Sequence, residues 1–371
     1  MGQNFDAIVV GGGIVGCACA YFLSRDLKRV LLIERGPIGG GSTAAGMGHV
    51  VVMDDSPAQF ALTNYSQQLW MELYPQLNHA CEPRMTGTMW VAADEEEFSH
   101  VEGKRDFYVK NGLPAEVLDT KSLEEAEPSL RKGLPGGLRI PQDSVIYPMA
   151  AAQWLLGQAQ LRGCTVMLGQ TVTTAKNGEV TLQDGTVLSA RYIVNSAGDH
   201  ASSLTPEIKI EPRKGHLIIT DRYPGYVNHQ LVELGYLKSA HEMSQESVAF
   251  NAQPRATGQI LLGSSRQFVG WNDEIDRALI AKMVKRAEEY LPSISQLSVI
   301  RTWVGFRATT SNKLPLIGFL PSDPKMLVAA GHEGLGITTS VATGMLIADL
   351  VAGRPSKIDR SPFAPTSGVA A

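Results

Sequence analysis

The sequence predicts an α/β (α+β) fold in which an antiparallel-sheet domain is inserted into a parallel-sheet domain. Apolar residues 5–10 lead into a glycine turn, a helix of small residues and a second apolar strand at 30–33, an order typical of parallel sheets. A second strand–glycine–helix unit occupies residues 326–352. Between these units, short strands alternate with charged helices, which indicates a separate core.

The length of 371 residues is ample for two intertwined domains. We predict a discontinuous first domain at 1–82, 143–211 and 303–371, and an inserted second domain at 83–142 and 212–302. A hydrophobic content of 44% with 19% charged residues is typical of a soluble globular enzyme. The net charge of −4 and the lack of a basic run argue against nucleic acid as a partner.

The cysteines and the hydropathy pattern restrict the other classes of function. Cys17, Cys19, Cys81 and Cys164 have no metal-site spacing, so we expect neither a metal site nor a disulfide. The sequence begins at the first strand without a leader-like segment, and no apolar run reaches about 18 residues, so we expect no transmembrane segment. The predicted compartment is the cytoplasm, with association at the inner membrane only through a partner.

The first glycine turn predicts dinucleotide binding. Gly11 permits the tight turn, Gly13 lets backbone approach a pyrophosphate, and Gly16 lets the helix pack on the sheet. The helix begins at Ile14 and Val15, and its N-terminus supplies N–H groups and partial positive charge for phosphates. Glu34 closes the second strand, where a carboxylate accepts hydrogen bonds from ribose hydroxyls and repels a 2′-phosphate.

The remaining elements follow from periodicity and turn residues. Asp184-Gly185 predicts a hairpin, and Gly353 ends the last helix. We predict helices at 56–74, 94–111, 120–127, 148–161, 274–290 and 338–352. We predict strands at 87–93, 165–168, 179–183, 186–190, 192–194, 216–220, 247–251, 259–263, 301–304 and 326–330. The glycine-rich stretch 36–49 is interpreted as an ordered ligand wall, with a flexible linker as the alternative.

The second glycine turn, residues 331–336, opens a helix that has no phosphate left to bind if the first turn holds the pyrophosphate. Its N-terminal dipole suits another anionic acceptor, such as the N1–C2=O edge of a reduced flavin. A flavin held between the two helix ends explains both turns. The alternative is a plain helix entry over a sheet edge.

Several segments, taken in order, carry a resemblance to a known family. They are the first turn through Glu34-Arg35, Gly41-Ser42-Thr43 with Gly46, residues 194–198, Trp303-x-Gly305-x-Arg307 and Gly331-His332-x-Gly334-x-Gly336. Together they resemble the D-amino acid oxidase (DAO) family of flavoproteins, in the glycine oxidase and sarcosine oxidase branch. Residues 44–55 and 331–340 further resemble the bacterial dye-linked dehydrogenases, nearest to the D-hydroxyproline (D-proline) dehydrogenase flavin subunits.

The resemblance implies FAD in an extended pose, in a Rossmann-like domain of GR2-type topology. The positions implied to hold FAD are Gly11, Gly13, Ile14, Val15, Gly16, Glu34, Arg35, Ser42, Thr43, Gly46, Met47, Gly48, Val172, Ala197, Gly198, Arg307, Gly331, His332, Gly334, Leu335, Gly336, Ile337 and Thr338. Some relatives attach flavin through a histidine or a cysteine. This chain has Ala44-Ala45 at the first place and no cysteine after Cys164, so we expect noncovalent FAD.

Oxidation of an amine at Cα needs orientation of the substrate and a dry pocket more than it needs a catalytic acid. A carboxylate substrate needs a fixed partner, and a guanidinium offers two parallel charge-assisted hydrogen bonds. Arg307 matches the family's carboxylate-binding arginine, three residues beyond the strand at 301–304. A surface salt bridge is the alternative, and Ala308 departs from the proline that often follows this arginine in the family.

Three other residues are candidates for the substrate site. His49, with a near-neutral pKa, would take a proton from the amine, or would only hydrogen-bond cofactor or backbone. Glu333 would receive an imino N–H, or would cap the helix start. Asn251 stands where glycine oxidases place a pocket tyrosine. The aromatic residues Tyr147, Tyr236 and Trp303 are interpreted as core or lid residues.

The leading function is FAD-dependent oxidation of a small D-amino or imino acid, D-proline or D-4-hydroxyproline, by hydride transfer from Cα. The expected partners are this small-molecule substrate and a non-NAD electron acceptor, which is a quinone, a dye or a partner subunit of a hetero-oligomer. The enzymatic alternative is a glycine or sarcosine oxidase that uses O2 and releases peroxide. An alternative of another class is a flavin-carrying electron-transfer subunit.

Overall fold

The structure is a computed structural model that describes residues 4–235 and 246–365. The chain divides into two compact units. The first comprises Met1–Cys81, Tyr147–Arg213 and Phe306–Ala371, and the second comprises Glu82–Ile146 and Lys214–Gly305. The assignment of flavin binding to one domain and substrate binding to the other stays a prediction.

The first unit is built on a sheet whose central strands are parallel. Its strands are β1 (Asn4–Val10), β2 (Val30–Glu34), β8 (Thr165–Leu168), β9 (Val172–Lys176), β10 (Glu179–Leu182), β11 (Val187–Asn195), β17 (Leu316–Leu320) and β18 (Asp323–Ala330). They lie in the order β17-β18-β11-β1-β2-β8, and the hairpin strands β9 and β10 extend the sheet from β11. Strand β1 is parallel to β2 and β11, so the first glycine turn emerges at the carboxyl edge of the central strands.

Helices and one short strand complete the first unit. They are α1 (Ile14–Asp26), α2 (Gly41–Ala44), β3 (His49–Val50), α3 (Pro57–Leu73), α7 (Pro148–Gln160), α8 (Ala201–Leu204) and α10 (Gly336–Ala352). Helices α1 and α10 pack with their backbones almost touching: a Cβ on Gly344 would lie 2.6 Å from the carbonyl carbon and oxygen of Ala18. Gly353 ends α10 in the left-handed conformation, at φ 67°, as its glycine predicts.

The second unit is built on a largely antiparallel sheet. The strands of this sheet are β4 (Thr88–Ala92), β5 (Glu116–Asp119), β6 (Gly136–Ile140), β12 (Glu211–Arg222), β13 (Gln230–Glu233), β14 (Glu246–Pro254), β15 (Gln259–Gln267) and β16 (Val299–Thr309). The first three residues of β12 and the last four of β16 belong to the first unit, and the short strand β7 (Ser144–Val145) lies outside this sheet. The order is β16-β12-β15-β14-β13-β4-β6-β5, with β13 and β4 parallel. Its helices are α4 (Glu95–Phe98), α5 (Val101–Lys110), α6 (Thr120–Ala126) and α9 (Arg277–Glu288). The two sheets confirm the predicted α/β (α+β) class with an antiparallel second sheet.

Several predicted elements are corrected. The strands at 186–190 and 192–194 are one strand, β11, which pairs antiparallel with β10 near its start and parallel with β1 beyond it. The helix at 94–111 is two helices, and where α4 ends the Ser99 hydroxyl donates to the carbonyl of Glu96, a local bond that competes with helix continuation. Strand β6 was missed because it begins with two glycines. A Cβ on Gly136 would lie 2.2 Å from the carbonyl oxygen of Leu118, so the close strand approach requires glycine.

The structure also describes the four cysteines and the length and polarity of the helices. Cys17, Cys19, Cys81 and Cys164 are buried free thiols. Among the helices that the structure describes, none is long and apolar enough to cross a membrane.

Candidate active site

The first glycine turn brings the start of α1 against the carboxyl ends of β1 and β11. A Cβ on Gly11, whose φ is +107°, would lie 2.5 Å from the carbonyl oxygen of Ser196. A Cβ on Gly16 would lie only 1.9 Å from the carbonyl oxygen of Gly11. Glycine is therefore a steric requirement at both positions, as the turn and the helix–sheet packing predict.

Gly13 differs from these two glycines because a Cβ there would meet a side-chain atom at contact distance and no backbone atom within 4 Å. It is the N-cap of α1, with φ −67° and ψ 172°, and a Cβ there would meet Thr43 Oγ1 at 3.4 Å. The N–H of Ile14 donates to the same Thr43 Oγ1 at 3.0 Å. The short helix α2, which carries Ser42 and Thr43, is therefore fixed beside the N-terminus of α1, where we expect the pyrophosphate.

Glu34 lies at the same turn, but its carboxylate binds backbone. Oε2 accepts from the N–H of Gly12 at 2.5 Å, and Oε1 accepts from the N–H of Gly36 at 2.7 Å. Each carboxylate oxygen has a second lone pair that can still accept a hydrogen bond, and the two backbone bonds fix its direction. Ribose binding by Glu34 stays a prediction. The neighbouring Arg35 is exposed.

The glycine-rich stretch 36–49 is tied to distant segments of the first unit. Ser42 Oγ donates to the carbonyl of Phe306 at 2.6 Å, and a Cβ on Gly46 would lie 2.6 Å from Ile337 Cδ1. Thr338 Oγ1 donates to the carbonyl of His49 at 2.9 Å. The contacts with Ile337 and Thr338 fix Gly46 and His49, and with them the intervening Met47 and Gly48, to the start of α10. The stretch is therefore ordered, as its interpretation as a ligand wall requires.

The other predicted cofactor positions also lie in the first unit. The N–H of Ala197 donates to Asn195 Oδ1 at 3.2 Å, and Gly198 has φ +60° with open space where a Cβ would stand. Val172 begins β9 and packs on the core of the sheet. Leu335 is the N-cap of α10. The N-terminus of α1, with Gly13 where a Cβ would meet only Thr43 Oγ1, fits a dinucleotide pyrophosphate.

The second glycine turn brings Arg307 and Glu333 together. Arg307 lies inside β16, not beyond a strand as predicted, since β16 continues to Thr309. A Cβ on Gly334 would lie 3.6 Å from Arg307 Nε, so the guanidinium passes over this glycine. The N–H of Glu333 donates to the carbonyl of Ala308 at 2.9 Å, which links the turn to β16 beside Arg307.

Glu333 has a second charged neighbour that sequence reasoning missed. Arg213, on β12, is 1% exposed and places Nη1 at 3.6 Å from Glu333 Oε1. Glu333 Oε2 accepts from the N–H of Gly334 at 2.5 Å. Arg213 stands in a charged stretch, Arg213-Lys214, and nothing in the sequence marks one of the two as buried beside Glu333.

The two histidines near the turns are held neutral. Burial lowers the pKa of His49 to about 3 and that of His332 to about 3. His332 Nε2 lies 3.0 Å from Thr343 Oγ1, and His49 Nε2 is buried without a hydrogen-bond partner among the described residues. The near-neutral pKa predicted for His49 is therefore wrong. At pH 7 its imidazole is a neutral hydrogen-bonding group and a weak base.

These depressed pKa values predict acid sensitivity of the folded flavin-free protein. An unfolded histidine titrates near its ordinary value of 6.5, whereas folded His332 stays neutral down to about pH 3. Between these values the unfolded chain binds more protons. The free energy of unfolding therefore falls as pH is lowered, by about 1.4 kcal/mol per pH unit for each such histidine.

Urea unfolding at several pH values between 7 and 5 measures this slope. His332→Gln is expected to give a shallower slope than the parent protein. His79→Gln removes an exposed histidine and is expected to leave the slope unchanged. Equal slopes in the parent protein and His332→Gln would contradict the lowered pKa of His332.

The remaining predicted residues are more dispersed. Asn251 lies on β14 in the second unit, with Oδ1 buried and unpartnered among the described residues. Tyr147 caps α7 and donates to Met149 Sδ at 3.5 Å, and Trp303 lies half-buried on β16. Tyr236 lies outside the described residues. Of the predicted catalytic group, the first unit holds His49, Arg307 and Glu333.

Comparisons of the sequence and of the structure with known proteins find relatives of one kind. The DAO family, described as FAD dependent oxidoreductase, matches residues 6–350. The chain is 27% identical to a hydrogen cyanide synthase subunit of Pseudomonas aeruginosa, over 98% of this chain and 96% of that protein. It is 26% identical to a glycine oxidase of Pseudomonas putida, over 96% and 97%. The crystal structure of glycine oxidase from Geobacillus kaustophilus matches 99% of this chain and 100% of that chain, with a TM-score of 0.88 at 24% identity.

The predicted cofactor and enzyme class are thereby confirmed. The family match spans both glycine turns and the Arg307 strand, the segments that sequence analysis connected to a flavin. The chain belongs to the DAO family of FAD-dependent oxidoreductases.

Proposed function

We propose that this chain oxidises a small D-amino or imino acid, with D-proline or D-4-hydroxyproline as substrate, and passes the electrons to a non-NAD acceptor. The observation that carries the proposal is that Arg307, on β16, passes over Gly334 of the glycine turn that carries Glu333. A cation and an anion beside one turn match the carboxylate and the N–H of an amino acid. The resemblance of residues 44–55 and 331–340 to the dye-linked D-hydroxyproline dehydrogenases supports the choice of substrate.

Bound FAD supplies the two-electron acceptor for the hydride that leaves the substrate Cα. The chain's residues orient the substrate. Arg307 binds the carboxylate through two parallel charge-assisted hydrogen bonds, which fixes the direction of Cα–H. Glu333 accepts the N–H of the neutral amine. His49, neutral at pH 7, donates a hydrogen bond from its one ring N–H and accepts one at its other ring nitrogen.

The cofactor is proposed to be noncovalent, because Ala44 and Ala45 follow the Ser42-Thr43 pair and no cysteine follows Cys164. Acid or heat denaturation is then expected to release all flavin into the supernatant. Flavin that stays with the precipitated chain would overturn this assignment.

Anaerobic mixing of the purified FAD-loaded protein with a substrate panel tests the function. D-proline and D-4-hydroxyproline are expected to bleach the visible flavin absorption faster than L-proline, sarcosine or glycine. The L enantiomers are matched controls, since they carry the same groups in mirror-image order. If no D-amino or imino acid reduces the flavin, the proposed function is wrong.

A glycine or sarcosine oxidase is the second candidate, favoured by the similarity to the glycine oxidase of Pseudomonas putida. This enzyme would use O2 as acceptor. Peroxide release in air, compared with dye reduction under nitrogen, separates the two functions. Peroxide formed with glycine at a rate matching flavin reduction would favour the oxidase.

A third candidate is a flavin-carrying subunit of a hetero-oligomer, with the substrate chemistry elsewhere. The similarity to a protein named as a hydrogen cyanide synthase subunit motivates it. Dye reduction by the isolated chain with a D-imino acid would exclude this candidate. The cytoplasmic compartment stays a prediction.

A further inference from the structure

A buried arginine lies behind the carboxylate of Glu333. Arg213 is 1% exposed, whereas the Glu333 side chain is 20% exposed. An ion removed from water is costly unless an opposite charge and hydrogen bonds compensate it. The 3.6 Å separation between Arg213 Nη1 and Glu333 Oε1 provides the opposite charge. The inner side of the carboxylate is therefore matched to a fixed cation.

The backbone of Glu333 is also held in place. Its φ is +49°, in the left-handed region that non-glycine residues enter only at a cost. The N–H of Glu333 bonds to Ala308 and its Oε2 accepts from Gly334, so both the main chain and the side chain of this residue are constrained. Such a conformation persists only where surrounding contacts impose it.

We propose that Arg213 is a positioning residue that fixes the Glu333 carboxylate, so that Glu333 accepts the N–H of a substrate whose amine is neutral. The inference rests on the proposed function, because it takes the substrate to be an amino or imino acid. Its ligand class is an α-carboxylate whose neighbouring nitrogen carries hydrogen.

Five charged or titratable side chains at these turns are called the cluster: Arg213, Arg307, Glu333, His49 and His332. Their summed charge favours the reactive form of such a substrate. Arg213 and Arg307 each contribute +1, Glu333 contributes −1, and His49 and His332 are neutral because burial lowers the pKa of each to about 3. The cluster therefore carries +1. An amino acid with an ionised carboxylate and a neutral amine carries −1, whereas the zwitterion carries no net charge. The cluster stabilises the neutral amine, whose lone pair is needed when hydride leaves Cα.

The pH dependence of anaerobic flavin reduction by D-proline tests this charge balance. Arg213→Gln makes the cluster neutral, so the midpoint of the rate profile is expected to move up by about one pH unit. Glu333→Gln makes the cluster +2, so its midpoint is expected to move down. Arg213→Lys keeps the charge and is expected to keep the midpoint. General structural damage would not move two variants in opposite directions.

A binding measurement provides a readout that needs no turnover. Pyrrole-2-carboxylate and furan-2-carboxylate have the same shape and charge, but the first presents an N–H where the second presents an ether oxygen. The FAD-loaded protein is expected to bind the pyrrole about tenfold or more tightly, the value of a hydrogen bond to a charged acceptor. Arg213→Gln and Glu333→Gln are each expected to reduce this ratio several-fold.

The outcomes separate the inference from the proposed function. If D-proline reduces the parent protein but Arg213→Gln keeps both the parent midpoint and the parent binding ratio, the inference is wrong while the function stands. If no imino acid reduces the parent protein, the proposed function fails. Should Arg213→Gln not fold, Glu333→Gln decides the matter, and an unshifted midpoint with an unchanged ratio in that variant overturns the inference.

Discussion

Arg307→Ala is expected to raise the KM for the D-imino acid by about 2–3 orders of magnitude. The substitution removes two charge-assisted hydrogen bonds to the substrate carboxylate, together worth about 3–4 kcal/mol. The Arg307 guanidinium already lies over Gly334, so the substitution removes a group that is prearranged for binding. Steady-state dye reduction over a wide substrate range gives KM and kcat separately.

The matched control is Arg301→Ala on the same strand. Arg301 is exposed and lies over the ring of Trp303, with 5.7 Å from its Cζ to the ring centroid, so we expect KM to change less than about twofold. Lysine at position 307 retains the charge but loses the planar fork, and should fall between the parent protein and Arg307→Ala. An unchanged KM in Arg307→Ala would remove this residue from carboxylate binding.

Gly13→Ala and Gly16→Ala are expected to fail in different ways. A methyl group on Gly13 fits the protein, because its nearest neighbour is Thr43 Oγ1 at 3.4 Å and the backbone angles suit alanine. That methyl would occupy the space where the pyrophosphate approaches, so we expect a folded protein that loses at least 100-fold in FAD affinity, or about 3 kcal/mol. A methyl group on Gly16 would lie 1.9 Å from the carbonyl oxygen of Gly11, so we expect loss of the folded first unit.

Circular dichroism, thermal unfolding of the flavin-free protein and flavin titration distinguish the two outcomes. Gly13→Ala should still fold, with an unfolding midpoint only a few degrees lower, since alanine at an N-cap costs about 1 kcal/mol relative to glycine. Gly157→Ala is the control, because it adds a methyl group in open space within α7. Normal FAD affinity in Gly13→Ala would contradict the placement of the pyrophosphate at this turn.

The local rules of the sequence were sufficient for most of the first unit. Residues 165–168 form the predicted strand, and α1, α3, α7 and α10 lie within two residues of their predicted starts. Apolar periodicity and capping residues act within a few positions, so they are readable from the sequence. Strand β6 escaped because its Gly136-Gly137 start has meaning only beside its partner β5, which is a tertiary relation.

The candidate site was predictable at positions where only one residue type suits the structural or chemical role. Glycines at close approaches and an arginine for a carboxylate belong to this class. The pKa of His49 was not predictable, since it depends on burial by segments far away in the sequence. Arg213 shows the same limit, because its neighbour Lys214 has equal charge and only the folded chain brings one of them to Glu333.

The contact between Gly344 and Ala18 has a consequence for biosynthesis. The side of α1 that receives α10 stays uncovered until Gly336–Ala352, more than 300 residues later, have left the ribosome. Since contacts between residues so far apart form late and slowly, the nascent N-terminal segment exposes apolar surface for most of translation. Chaperone supply during expression should therefore affect the yield of this protein more than it affects proteins whose first helix packs on its immediate neighbours.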